Sequence, residues 1–133
     1  MESSLDRTLA RARGLCVEAI AELQLLDRND YREWERLAAT MQDVQNALAG
    51  AHVRSSKQPP PPVGTSDDEL LAALAELDGL LREAAVSSRR ATLMGERDPD
   101  HYEPPGEAAS DAYALAERID EAFMSRRKTA LNA

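Results

Sequence analysis

The sequence is short of cysteine, glycine, aromatic residues and long apolar runs, and each shortage argues against a class of protein. Its 133 residues include one cysteine, six glycines, one tryptophan, three tyrosines and one phenylalanine. A single cysteine cannot form an internal disulfide, which argues against a disulfide-stabilised scaffold. The glycines are scattered and form no phosphate-binding loop. The longest uncharged apolar run, residues 70–75, is far shorter than the ~20 residues of a membrane-spanning helix.

The charge is acidic, because 16 basic residues face 24 acidic ones and give a net charge of −8. An acidic surface repels phosphate groups, so we expect no nucleic-acid partner. Residues 1–6 have neither the basic nor the apolar part of a signal peptide, so we expect no secretion and no membrane insertion. Together with the lone cysteine, these features predict a soluble, cytoplasmic protein with one domain over residues 1–133.

The strongest positive signal is an apolar residue at every third or fourth position in four separate segments. These positions are Leu5, Leu9, Ala12, Cys16, Ala19, Leu23 and Leu26; Trp34, Leu37, Met41, Val44, Leu48 and Ala51; Leu70, Leu74, Leu77, Leu81 and Ala84; and Ala108, Ala112, Leu115, Ile119 and Ala122. Such spacing keeps the apolar residues on one seam of a helix. We therefore predict an all-α fold, a four-helix antiparallel bundle built from two helical hairpins.

Capping residues and helix breakers set the predicted helix limits at about 3–26, 30–50, 66–94 and 107–131. Ser66 with Glu69 forms a capping box before the third helix, and Gly50 is a suitable residue for the end of the second. Residues 27–30 are polar but include neither glycine nor proline. They favour a short turn between the first two helices, and one continuous helix through residue 51 is the alternative.

Residues 53–65 form a proline-rich loop that includes four consecutive prolines at positions 59–62. Consecutive prolines cannot be helical and prefer the extended polyproline II conformation. We expect a stiff, solvated connector that spans one end of the bundle. The alternative, a ligand for an aromatic-lined groove, lacks a flanking specificity pattern.

Residues with catalytic or metal-binding chemistry are few, and we predict no enzyme, no cofactor and no metal site. Cys16 lies on the seam of the first helix without an identifiable base beside it, which favours a buried structural role. Residues 98–103 bring together three carboxylates and His101, but their spacing does not match an EF-hand loop. We expect a solvated acidic loop at this position.

The third and fourth helices carry more large apolar residues than one seam accommodates. Two neighbours within a bundle are one explanation, and a second face that binds a helical segment of a partner protein is the other. The predicted partner-binding residues are Leu71, Leu74, Leu80, Tyr113, Phe123 and Met124. The predicted function is therefore non-enzymatic helix recognition. The alternative is a structural or scaffold subunit that self-associates through its heptad seams, for example as a homodimer.

Two stretches resemble flagellar and type III export chaperones of the FliT/FlgN type. One stretch covers residues 19–37 with its polar turn, and the other covers residues 106–113, where small residues precede Ala112 and Tyr113. The resemblance spans residues 15–120 in outline, and the two proline-containing loops depart from the family's pattern. It implies a small cytoplasmic chaperone that binds a helical, aggregation-prone segment of a secretion substrate. The binding site would be an apolar groove on the third and fourth helices.

Overall fold

The computed structural model describes residues 4–97 and 107–132, which form four helices. The helices are α1 (Ser4–Leu25), α2 (Tyr31–Gly50), α3 (Asp67–Arg97) and α4 (Glu107–Leu131). These bounds agree with the predicted limits to within three residues, and the described part of the chain has no strand. None of the described helices is long and apolar enough to cross a membrane. The predicted all-α four-helix bundle is confirmed.

The polar residues at 27–30 form a turn between two separate helices because their side chains bond the backbone of the turn. Asp30 caps α2 by accepting the backbone N–H of Arg32 at 2.9 Å, and its own backbone is extended. The carboxylate of Asp27 accepts the N–H of Asn29 at 2.9 Å. These bonds satisfy backbone donors that the end of a helix leaves unpaired. The hairpin is therefore confirmed, and a continuous helix is excluded.

The end of α2 differs in detail from the prediction. Gly50 is its last helical residue, but the left-handed backbone position is His52, with φ of 64°. The N–H of Val53 bonds the carbonyl of Leu48 at 3.0 Å, and that of His52 bonds the carbonyl of Ala49 at 3.0 Å. This pair of bonds is a Schellman motif, which places its left-handed residue beyond the final helical turn. Val53 then packs, partly buried, against the core.

Hydrogen bonds between helices fix their relative directions. Near the start of α1, Asp6 accepts a hydrogen bond from Ser88 at 2.7 Å, and further along α1 Arg13 pairs with Asp78 at 3.3 Å. The residue number rises along α1 while it falls along α3, so these two helices are antiparallel. Near the C-terminal end of α4, Arg126 pairs with Asp67, the first residue of α3, at 3.0 Å. Helices α3 and α4 are therefore antiparallel as well.

Each helix packs against two neighbours, and the order around the bundle is α1, α2, α4, α3. Helices α2 and α3 lie on one diagonal and run in the same direction. The end of α2 therefore lies at the opposite end of the bundle from the start of α3.

The connection between α2 and α3, residues 51–66, runs back along the bundle, and we call it the strap. Helix α2 has 20 residues and is about 30 Å long, and an extended strap easily covers that distance. Arg118 of α4 donates to the carbonyl of Pro60 at 2.9 Å, and Arg126 donates to that of Thr65 at 2.6 Å. The expectation that this loop spans one end of the bundle is wrong, because α2 and α3 are parallel.

The seams of all four helices meet in one core within a single chain. Its largest fully buried side chains are Trp34, Phe123, Leu9, Leu37, Met41, Leu48, Leu70, Leu74, Leu77, Leu81, Ile119 and Val44. Burial of these apolar surfaces is the main favourable term in folding. A scaffold that self-associates through the same seams would have to open this core. The alternative of assembly through heptad seams is therefore not supported.

One cluster joins three chain segments at the end of the bundle where α1 turns into α2, and we call it the turn-end cluster. The indole N–H of Trp34 donates to the carbonyl of Arg28 at 3.0 Å. The guanidinium of Arg126 lies 4.4 Å from the Trp34 ring centroid, within the range of a cation–π contact. Asp67 pairs with Arg126 at 3.0 Å and with Arg28 at 2.6 Å. Phe123 packs against Trp34 with the ring centroids 6.2 Å apart.

We expect Asp67→Ala to destabilise the fold by about 2 kcal/mol, because Asp67 links Arg28 to the partly buried Arg126. The measurement is urea denaturation followed by circular dichroism. Asp68→Ala is the matched control, since Asp68 lies in the same first turn of α3 but is exposed. We expect Asp68→Ala to lower the free energy of unfolding by less than about 1 kcal/mol, because it removes only a negative charge near the helix N-terminus. Equal losses for the two variants would contradict a structural role of the cluster.

Candidate functional site

The six residues predicted to bind a partner do not form one exposed groove. Leu74 and Phe123 are fully buried in the core, where seam packing leaves them no access to a partner. Leu71, Leu80 and Tyr113 are partly buried and pack against the same core. Met124 is the one exposed member of this set. The second apolar stripe on these helices therefore mainly faces neighbours within the bundle. This was the first of the two explanations offered for the extra apolar residues of the third and fourth helices.

The strap also covers the groove between α3 and α4. Pro60 of the strap, Leu80 of α3 and Leu115 of α4 line a single small cleft. Ala114 is only 2% exposed although it lies outside the core cluster. It lies one turn before Arg118, which binds the strap at the carbonyl of Pro60. The chain itself occupies the groove that the sequence suggested for a partner.

The exposed apolar residues of α3 lie on the opposite side of the helix from the core. Ala72, Gly79, Val86 and Leu93 follow one another at intervals of seven residues, or about two helical turns. All four are exposed, Val86 by 51% and Leu93 by 61%. A Cβ atom on Gly79 would meet no other atom within 4 Å, so the row is open to solvent.

Arginines surround the larger members of this row. Arg82, Arg89 and Arg90 are exposed on the same stretch, with Glu83 as their acidic neighbour. Arg82 pairs with Asp78 at 3.0 Å, whereas Arg89 and Arg90 have no ion pair within residues 4–97 and 107–132. The local charge is thus positive on a chain whose net charge is −8. We call this region the α3 surface: Gly79, Arg82, Val86, Arg89, Arg90 and Leu93.

The α3 surface was not among the predicted binding residues, because that prediction rests on large apolar residues in excess of the seam. The surface carries only two such residues, and they are separated from the leucine-rich first half of α3. The signal that identifies it is the interval of seven residues on the face opposite the seam. That signal has meaning only when the seam is known to be buried.

The thiol of Cys16 is structural. It is fully buried and donates to the carbonyl of Leu74 in α3 at 3.3 Å. Burial, together with the nearby charge of Asp78, raises the pKa of this thiol to about 12. A thiol with this pKa stays protonated near neutral pH and is a poor nucleophile. The predicted buried position of Cys16 is confirmed.

Asp120, between α4 and α2, is the second perturbed acid. Burial raises the pKa of its carboxyl group above the ordinary value, while a hydrogen bond with Gln42 acts in the opposite direction. Its Oδ1 atom has no hydrogen-bond partner among the described residues. A perturbed acid in a cleft is a candidate for catalysis, but Asp120 lines none of the clefts described between the strap, α3 and α4. We assign it to helix packing.

Within residues 4–97 and 107–132, no group of three or more histidine, cysteine or acidic side chains is arranged to hold a metal ion. His52 is exposed at the start of the strap. The acidic segment 98–103 with His101 lies outside the described residues.

No known protein family, curated protein or solved structure matches this chain. The class of the protein is therefore defined by its fold and surfaces alone: a four-helix bundle with parallel diagonal helices and a proline-rich strap.

We expect Asp120→Asn to stabilise the protein at pH 7, because it removes a partly buried negative charge and keeps an oxygen acceptor for Gln42. A folded-state pKa above the unfolded value means that stability falls as pH rises through that pKa. The increase in the free energy of unfolding caused by Asp120→Asn should therefore shrink towards pH 3, where Asp120 itself is protonated. Urea denaturation at the two pH values measures this. Glu121→Gln, at an exposed neighbour, is the control, and a loss of stability for Asp120→Asn at pH 7 would contradict the assignment.

Proposed function

We propose that this protein is a non-enzymatic interaction protein that binds an acidic amphipathic helix of another protein on its α3 surface. The observation that carries the proposal is the exposed pair Val86 and Leu93, flanked by Arg89 and Arg90, which lack ion pairs in the described part of the chain. An exposed apolar row with charged borders is typical of a helix-docking site. The proposal moves the binding site from the groove between α3 and α4 to the outer side of α3.

The geometry of the α3 surface suits a helical ligand better than an extended one. Its apolar residues repeat every two turns, which matches the spacing of the anchors that a second helix presents. Gly79 and Ala72 leave room for close approach at one end of the row, and Val86 and Leu93 supply apolar contact area at the other. The burial of these side chains against a partner would provide the affinity.

The charges favour an acidic partner. Carboxylates pair well with guanidinium groups, and complementary charge speeds association. The chain as a whole carries a net charge of −8, so the positive α3 surface is a local exception that an acidic partner would favour. The pattern therefore directs an acidic helix to the arginines at positions 82, 89 and 90.

The export-chaperone interpretation is a more specific form of the same proposal. Support for it comes from the all-helical bundle and from exposed apolar residues on α3, together with the two stretches quoted from the sequence. In this form the ligand is an aggregation-prone helix of a secretion substrate. The setting would be the cytoplasm, where a lone thiol such as that of Cys16 stays reduced.

The proposal is tested by affinity capture from the native cell with quantitative mass spectrometry, using wild type, Val86→Glu and Val17→Glu. Val86 and Val17 are exposed to nearly the same degree, on α3 and α1 respectively. We expect wild type and Val17→Glu to capture the same partner in similar amounts. The captured amount should fall about tenfold with Val86→Glu, since a carboxylate there repels acidic residues and breaks the apolar row.

Cross-linking mass spectrometry should then map the contact to residues 79–93 and to an acidic helix of the partner. Binding that survives Val86→Glu and is lost with Met124→Glu would contradict the proposal, because it would place the site on α4.

A further inference from the structure

The outer face of α1 is a second unpartnered surface, separate from the α3 surface. Its core side is lined by Leu9, Cys16 and Leu23. On the opposite side lies an uncharged row of exposed residues at intervals of three or four: Ala10, Gly14, Val17, Ala21 and Leu25. Val17 is 53% exposed and Leu25 is 87% exposed. A Cβ atom on Gly14 would meet no other atom within 4 Å, so none of the described residues covers the row at this position.

The charges beside this row are divided by sign. Arg7 and Arg11 border its first half, and Glu18 and Glu22 border its second half on the same flank. Glu22 pairs with Arg36 of α2 at 3.5 Å. Within the described residues, the charged groups of Arg7, Arg11 and Glu18 have no ion pair. One flank of α1 is thus basic at one end and acidic at the other.

A second copy of α1, placed antiparallel on the first, would cover the uncharged row and also pair the basic end of the flank with the acidic end. With the two-fold axis midway between Gly14 and Val17, Val17 of one chain lies over Gly14 of the other, and Ala10 lies opposite Ala21. Residues on the same flank of antiparallel helices face each other across such an axis. Arg11 then faces Glu18 of the second copy at nearly the same height, with an axial offset of about 3 Å at 1.5 Å per residue.

The same arrangement brings Arg7 towards Glu22 of the second copy. Two-fold symmetry repeats each pair, so four cross-chain ion pairs border one small-residue seam. A parallel two-fold arrangement would instead set this flank against the opposite flank of the second copy, so that Arg7 and Arg11 would not face Glu18 and Glu22. The charge order along α1 therefore selects the antiparallel copy.

We propose that α1 is the interface of a symmetric homodimer in which its outer face packs antiparallel on the same face of a second chain. The glycine and alanines allow the two backbones to approach closely, and the charge pairs fix the direction and the register. Helix α1 is a corner of the bundle, with α2 and α3 on its two inner sides. The interface therefore forms without opening the core and leaves the α3 surface free.

The first test is sedimentation of the purified protein over a range of concentrations. We expect wild type to form a concentration-dependent dimer and Val17→Glu to be monomeric with an unchanged helical circular dichroism spectrum. Val86→Glu, the matched change on α3, should dimerise like wild type. A monomeric wild type at all concentrations, or a dimer that survives Val17→Glu, would overturn the proposal.

The second test exchanges the charges. Arg11→Glu places two glutamates opposite each other across the interface, and Glu18→Arg places two arginines there. We expect each variant alone to dimerise about tenfold more weakly than wild type at low salt. Mixed together, the two variants should form a heterodimer, because every glutamate at these positions then faces an arginine of the other chain.

The mixing experiment separates contact between chains from effects within one helix. A change in helix stability alone cannot be corrected by adding a second, equally altered chain. Absence of the heterodimer would exclude the proposed register. Because both tests use the purified protein, their outcome is independent of whether an acidic partner binds the α3 surface.

Discussion

The ion pair between Asp67 and Arg126 determines most of what distinguishes this bundle. It fixes the first residue of α3 beside the C-terminal part of α4, while Arg126 also lies on the Trp34 ring at the start of α2. Three helix ends therefore meet at one end of the bundle. With α2 and α3 starting there together, the chain between them has to return along the whole length of α2. The position of the strap follows from this one constraint.

The strap in turn decides which surfaces are open. Held through the carbonyls of Pro60 and Thr65, it lies over α4 and the neighbouring groove of α3. The apolar residues that face this groove are covered by the chain itself. The exposed apolar rows remain on the outer sides of α1 and α3, where Val17 and Val86 are their central members.

Both rows contain a glycine with open space above it, and both are bordered by arginines. The two surfaces differ in charge order: α1 divides its charges by sign, which suits a second copy, whereas the α3 surface is mainly basic, which suits an acidic helix.

Much of the fold was predictable because helix formation and capping are local. The seam residues of α1, from Leu9 to Leu23, are buried as their spacing required. Ser66 caps α3 as predicted by accepting the N–H of Glu69, although the Glu69 carboxylate bonds the Ser66 hydroxyl and not its backbone N–H. The candidate site was not predictable in the same way. Leu74 and Phe123 have the composition of a docking surface, yet both are in the core. Leu74 lies on the predicted seam, so its spacing already indicated burial. The burial of Phe123 depends on which helices are neighbours, and a periodic pattern does not specify that. Gly79 and Val86, in contrast, gave little signal because small and isolated residues on an outer face resemble an ordinary solvated helix.

The amino-acid sequence by itself determined the four helices, their limits, the turn at residues 27–30 and the seam residues that face the core. These depend on interactions over a few residues: apolar periodicity, caps and the conformational limits of proline. Only the tertiary structure decided that α2 and α3 run parallel on a diagonal and that the strap lies along α4. It also decided which apolar residues stay exposed. These features depend on contacts between residues 58 to 61 positions apart, such as Arg118 with Pro60 and Arg126 with Thr65. Contacts at that separation leave no periodic trace in the sequence, because each rests on a single pair of groups brought together by the packing of whole helices.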